Sequence, residues 1–229
     1  MSSISNVEIM LNEYRNEFNR AASSYFAWKV LAELPASDDR VLSALNHNAD
    51  SWILIRHSLQ TTFIVALGRI FDADPKSFTV CLFLETCKSE IGQFSKQEFE
   101  ARRTRDNRGR RPDYLDAYMS NVYEAVESDF DALLKLANDQ ATIYNNKYKP
   151  IRHKIVAHKD LTTFLSDSDL YAATNLGEIE TMLETLYRVE CVVRDLLGNG
   201  EKKVLESYAF DRKQYIVEDL SSLLRTLTA

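Results

Sequence analysis

Between residues 6 and 33 the apolar side chains fall at Val7, Leu11, Tyr14, Phe18, Ala21, Tyr25, Trp28 and Ala32. That three-and-four spacing predicts one face of a long amphipathic helix. The run Pro35-Ala-Ser-Asp-Asp ends it. Over 46–71 the pattern fills in nearly all round: Trp52, Ile55, Leu59, Phe63, Ala66 and Ile70 make one face, and Ile53, Ile64, Leu67 and Phe71 flank it. A helix apolar on most sides is expected in the middle of a bundle. This one also carries Arg56, His57, Gln60 and Arg69, which would need partners there.

After a stop at Asp72-Ala-Asp-Pro75, a short helix is expected near 78–87. Ser95-Lys-Gln-Glu98 has the form of a capping box, opening a helix into an arginine-rich run. Gly109 and Pro112 break that helix, with Pro112 suited to a first turn. The stripe Leu115, Met119, Val122, Val126, Phe130, Leu133 and Ala137 predicts a long helix to about 140. A short helix from Pro150 to about 157 and a loop over 162–174 follow. Asn175-Leu-Gly-Glu178 caps a helix bearing Ile179, Leu183, Leu186, Val193 and Leu197, closed by Gly198-Asn-Gly200. Ile216, Leu220, Leu223 and Leu227 place a last helix over 212–227. No strand signal and no internal repeat appears. The expectation is an all-α, up-and-down helical bundle in one domain, 1–229: a core of about 6–198, a basic insertion at 95–111, and a helical extension at 200–229.

Composition narrows the class. Six Gly and four Pro in 229 residues compare with roughly 27 at average usage. So few turn formers exclude a sandwich or barrel, which turns every 8–12 residues or so. No apolar run reaches the roughly 18–20 residues of a membrane span; the stretch at 62–67 is broken by Gly68 and Arg69. The opening Met-Ser-Ser-Ile-Ser-Asn lacks the basic-then-apolar order of a secretory leader. Three cysteines (Cys81, Cys87, Cys191) form no metal spacing and read as reduced, mostly buried thiols. A cytoplasmic protein without membrane contact, metal or cofactor is expected.

Charge is unevenly spread. Residues 101–111 hold six Arg against Asp106, and 147–159 hold Lys147, Lys149, Arg152, Lys154 and Lys159 with no acid, so each segment carries +5. The chain sums to −6, so with +10 in these two segments the remainder carries −16. Two positive fields on an acidic body concentrate a polyanion locally while the remaining surface repels it. The alternative for the first run is a solvated loop.

The second basic segment also holds two of the four histidines: Tyr148-Lys-Pro-Ile-Arg152-His153-Lys-Ile-Val-Ala-His158-Lys-Asp160. Arg, five residues, then His resembles the motif of HEPN domains (higher eukaryotes and prokaryotes nucleotide-binding). The flanking Pro-Ile-Arg-x-Lys-x-x-Ala-His-x-Asp, preceded by Trp52-Ile-Leu-Ile-Arg56-His57 and Leu67-Gly-Arg69-Ile-Phe-Asp72, is similar to the AbiU-type HEPN-like branch associated with abortive phage infection. The resemblance covers most of 6–198.

It implies a metal-independent endoribonuclease in a phage-defence or toxin–antitoxin setting, with RNA as substrate, two protomers facing across one cleft, and a possible antitoxin protein as partner. The 2′-hydroxyl attacks the adjacent phosphorus and leaves a 2′,3′-cyclic phosphate. Arg152, His153 and His158 are the implied catalytic residues. His158 suits proton transfer at neutral pH, Arg152 offers a planar fork to phosphate oxygens, and Asp160 orients His158. Arg69, Lys149, Lys154, Lys159, Arg102, Arg103 and Arg105 are expected on phosphate.

The residues alone leave other readings open. Six helical positions turn Arg152 and His158 to about 120° apart, and His158 shares a stripe with Ile151 and Ile155, which suits a core histidine. Arg152 then pairs with an acid from elsewhere in the bundle. Likewise Arg56, His57, Arg69 and Asp72 suit an internal polar network, with Arg69 and Asp72 three apart on one helix. Tyr144 and Tyr148 suit either base stacking or packing. A non-catalytic RNA- or protein-binding module, or a nucleotide-binding or nucleotide-modifying protein, remains the alternative.

Overall fold

Ser5 and Glu8 start the chain's first helix by mutual capping: Ser5 Oγ accepts from the Glu8 amide at 3.2 Å, and Glu8 Oε2 accepts from the Ser5 amide at 2.9 Å. The computed structural model describes residues 4–72, 74, 76–153 and 174–227. Among them every regular element is helical: α1 (Asn6–Glu33), α2 (Asp39–His47), α3 (Ala49–Ile70), α4 (Val80–Ser89), α5 (Lys96–Asp106), α6 (Leu115–Met119), α7 (Glu127–Ile143), α8 (Lys149–Ile151), α9 (Leu176–Arg194) and α10 (Arg212–Leu227).

The all-α expectation holds, and α1 is the axis of the bundle. It packs against α3, α4, α9 and α10 and buries Val7, Leu11, Tyr14, Phe18, Ala21 and Tyr25, most of the face its spacing predicts. Tyr14 is fully buried, stacks on Phe83 at 5.2 Å and donates to the Leu186 carbonyl at 2.9 Å, tying α1 to α4 and α9. A smaller cluster of Val30, Leu31, Leu34, Val41 and Leu224 closes the far end with α2 and α10.

Three expectations need correction. The helix expected over 46–71 is not central along its length. Phe63, Ile64, Ala66, Leu67 and Ile70 are buried, but Ile53 and Leu54 are 67% and 65% exposed, because the first turns of α3 pack on one side only, through Trp52 and Leu59 against Val30, Leu31 and Val41. Arg56 and His57 are also exposed there and, among the described residues, join no internal polar network.

The helix expected from 115 to 140 is two. After α6 the chain opens out, Val126 is extended (φ −117°, ψ 159°), and α7 starts afresh. Asp129 makes the break: its Oδ2 accepts from the Val126 amide (2.9 Å) and the Tyr123 hydroxyl (3.0 Å), and its Oδ1 meets Lys202 Nζ at 2.7 Å. Tyr123 N–H leaves the helix for the Gly200 carbonyl, 2.7 Å away.

At the other end α7 does not stop near 140. It runs to Ile143 and continues through a wide π-type turn, Tyr144–Tyr148, into α8. Pro150 sits in the first turn of α8, where its missing N–H costs little. The remainder of the helix expected to 157, and most of the 162–174 loop, lie outside the described residues.

Asn175 caps its helix as the sequence indicates, and of the capping box expected at Ser95–Glu98 the hydroxyl half forms while the Ser95 amide goes to the Gly92 carbonyl. Ser95 Oγ accepts from the Glu98 amide (3.3 Å) and Asn175 Oδ1 from the Gly177 amide (2.7 Å). Past α9 a second π-type turn, Asp195–Asn199, closes on Gly200, whose φ of +58° suits glycine. Asp195, nearly buried, then holds the chain that follows, accepting from Lys203 at 2.9 Å and Tyr208 at 2.8 Å. Burial pushes its carboxyl up, but these donors outweigh that and hold it below the usual value.

Candidate functional site

Tyr144 and Gly68 set the geometry on which Arg152 depends. Tyr144 opens the π-type turn, is almost fully buried and donates from its hydroxyl to the Ile64 carbonyl of α3 at 3.1 Å. Phe71 at 5.6 Å and Tyr148 at 6.1 Å flank its ring. One turn beyond Ile64, Gly68 leaves a notch in α3. A Cβ built there would stand 2.4 Å from Arg152 Nη1, 2.6 Å from Arg152 Cδ and 2.7 Å from the Tyr144 hydroxyl oxygen. Arg152 therefore runs across the bare backbone of α3.

Its Nη2 ends 3.5 Å from Asp72 Oδ2, the residue one helical turn past Gly68, with the two side chains 18% and 21% exposed. A guanidinium so placed is partly shielded yet keeps an open side. Burial pushes the Tyr144 phenol well above its ordinary value, and the adjacent Arg152 charge pulls against that.

The other expected site residues divide. His153 follows Arg152 and is exposed; Lys149, one turn earlier, is half-buried. Lys154, His158, Lys159 and Asp160 lie outside the described residues. Arg69 is given to α1, with Nη1 3.4 Å from Glu17, which also holds Arg20 at 2.5 Å. Tyr144 and Tyr148 pack, 1% and 2% exposed. Tyr148 hydroxyl bonds the Asn175 backbone and Glu178, and Lys147 pairs with Glu178, so the chain just before Arg152 is fastened to the start of α9.

The arginine run of α5 is engaged inside the protein. Arg102 is buried and donates to the Gln93 carbonyl at 2.7 Å and the Leu197 carbonyl at 2.8 Å. Arg103 donates to the Gly198 carbonyl at 2.6 Å while its guanidinium lies 5.2 Å from the centre of the Phe99 ring. Arg105 forks onto both oxygens of Glu8, at 2.5 and 3.2 Å. These arginines cap the carbonyl end of the turn after α9 and tie α5 to α1. Arg111 pairs with Glu100 and Asp116. Arg108 and Arg110 are exposed.

Beside the Arg152–Asp72 pair opens a groove of about 690 Å³, walled by the end of α3, the start of α4 and the α7–α8 rod. Asp72 belongs to both, and Asp74, Cys81, Glu85, Asn138, Asn145 and Lys149 join the lining. Asn145 donates from Nδ2 to the Phe71 and Ala141 carbonyls, at 3.2 and 2.8 Å. Among the described residues no group of His, Cys, Asp and Glu is arranged to hold a metal ion, and no helix is long and apolar enough to cross a membrane. All three cysteines are free thiols, Cys87 and Cys191 buried and Cys81 half-buried.

Sequence reasoning did not find the parts played by Gly68, Tyr144 and Asp72 as the seat of Arg152. One signal was present: a glycine inside an apolar helical stripe, where it costs about 1 kcal/mol against alanine. The family model described as HEPN_AbiU2: AbiU2 matches residues 4–219. No curated protein and no solved structure matches the chain.

Proposed function

This chain belongs to the AbiU2 family of HEPN proteins, and we propose on that premise that it is a metal-independent endoribonuclease of phage defence or of a toxin–antitoxin pair. The observation that carries the reading is the setting of Arg152: a guanidinium drawn over a glycine, 18% exposed, and aimed by a carboxylate, Asp72, that itself lines a groove. Fixed donors aimed where charge develops need no reorganisation during the reaction.

In the proposed reaction the RNA 2′-hydroxyl attacks the adjacent phosphorus. The P–O5′ bond breaks, leaving a 2′,3′-cyclic phosphate and a 5′-hydroxyl. His158 takes or returns a proton, Arg152 neutralises the non-bridging oxygens, His153 bonds the substrate, and Asp160 orients His158. Lys149, Lys154 and Lys159 supply local positive charge. Pairing of two protomers across one cleft would double that field on a chain of net charge −6. An antitoxin protein would hold the enzyme inactive.

The test is labelled RNA incubated in EDTA with the parent chain, Arg152→Ala and His158→Ala. Cleavage that survives chelation, yields cyclic phosphate ends and falls about 100-fold or more in both variants supports the reading. Equal trace cleavage in all three discards it.

One observation favours a second reading. Arg152 has an acid partner, as a tie between helices requires. A non-catalytic RNA- or protein-binding bundle would then show a lower unfolding midpoint for Arg152→Ala and no cleavage by the parent.

A further inference from the structure

The groove beside Arg152 has the wrong charge for phosphate. Among the described lining residues Asp74 and Glu85 face it against the single lysine Lys149, with Asp72 already paired to Arg152, so an RNA backbone held by Arg152 is kept at the lip. A base extending from that backbone is neutral and suffers no such repulsion. Of the rest of the wall, Asn138 offers amide hydrogens to a base edge while its Oδ1 accepts from the Cys81 thiol at 3.3 Å, and Asn145 spends its amide hydrogens on the Phe71 and Ala141 carbonyls. The volume of about 690 Å³ falls in the range of small-ligand sites and exceeds what one base needs.

We infer that this groove is a nucleobase-reading subsite for the nucleotide flanking the phosphate at Arg152, and that it selects an amino-bearing base, cytosine or adenine, over uracil. The inference rests on the nuclease reading for the identity of the polymer and goes beyond it in naming the base. Its chemical reason is the sign of the lining. Carboxylates accept from the exocyclic amino groups of cytosine and adenine, and the Asn138 amide hydrogens donate to an unprotonated ring nitrogen beside that amino group. Uracil offers carbonyl O4 where those bases offer an amino group, and brings it against Glu85 and Asp74. Flanking bases are read in the same way by other enzymes that work on single strands, through pocket shape and contacts to exocyclic groups.

The test uses oligodeoxynucleotides, which lack the attacking hydroxyl and so remain intact. Fluorescence anisotropy measures binding of oligo-dC, oligo-dA and oligo-dU to the full chain, to Glu85→Gln and to Asn138→Ala, with thermal melting to confirm that each variant is folded. The expected result is about tenfold weaker binding of oligo-dU by the parent, shrinking to about twofold or less in both variants. Equal affinity for the three oligomers, absence of binding, or a preference unchanged in both variants overturns the inference. The outcomes separate from those of the EDTA assay. RNA cleavage without base preference removes the groove alone, and base preference without cleavage removes the nuclease alone.

Discussion

Gly68 and Arg152 occupy one space: the Cβ that any other residue would bring to position 68 stands 2.4 Å from the arginine's Nη1. The neighbours it would strike are the flexible Arg152 side chain, which can swing aside, and the Tyr144 hydroxyl, 2.7 Å away, which must give by a few tenths of an ångström while its ring stays in the core. Gly68→Ala is therefore expected to fold, with the helix gaining up to about 1 kcal/mol of propensity against the lost seat. RNA cleavage is expected to fall about 100-fold, the cost of moving a reacting group by about 1 Å. Melting temperature and cleavage rate on one preparation check this; full activity in Gly68→Ala refutes the positioning role.

Asp72→Asn separates holding from orienting. The carboxylate competes with phosphate for Arg152 and also aims it. Without its charge the guanidinium binds phosphate more freely but less well directed, so KM and kcat should fall together. Steady-state kinetics on a short RNA reads both, and a raised KM contradicts the assignment.

Arg102 and Arg110 belong to one basic run but differ in situation. Arg102 is buried on two carbonyls, whereas Arg110 is exposed. Arg102→Ala leaves those carbonyls without donors and should cost about 2–4 kcal/mol. Arg110→Ala should stay within about 0.5 kcal/mol. Urea midpoints compare them directly, and equal midpoints would show that burial of the first has no structural weight.

Four carboxyls, Glu8, Asp129, Glu180 and Asp195, have folded-state pKa values below their ordinary ones of 4.5 for glutamate and 3.8 for aspartate. In each, burial pushes upward, and hydrogen bonds and cations overcome it: Arg105 at Glu8, Lys202 at Asp129, Lys29 at Glu180 and Lys203 at Asp195. A depressed pKa lends stability that is complete above the unfolded value and is lost as pH falls through the folded one. The urea midpoint should thus hold level from about pH 8 to 5 as far as these groups are concerned, and drop below about pH 4. Asp195→Asn should lower the plateau and shallow the acid limb; an unchanged limb would remove Asp195 from the account.

Most helices were legible because their signals are local. Asn175 caps α9, Ser95 caps α5, and the stripe from Val7 onward faces the core. The break between α6 and α7 was also written locally, in Glu127-Ser-Asp129 at a new N-terminus. The apolar stripe from Leu115 onward runs through that break unbroken, so periodicity alone read one helix where a cap and a long-range bond to Gly200 make two. The same limit applies to α3, whose apolar start reads as core although its first turns are covered on the Trp52–Leu59 side alone.

The sequence by itself determined the helical class, most of the caps, the separation of basic from acidic charge, and the arginine and histidines that make this chain resemble its family. These follow from neighbours within a turn or two, and a single string contains them all. Which acid meets which base depended on the tertiary structure. Arg152 stands 80 positions beyond Asp72, Arg102 reaches the carbonyls of Leu197 and Gln93, and Arg69 turns to Glu17. Pairings over such separations are set by how the helices pack and where a missing side chain lets one cross another, and no local pattern encodes that.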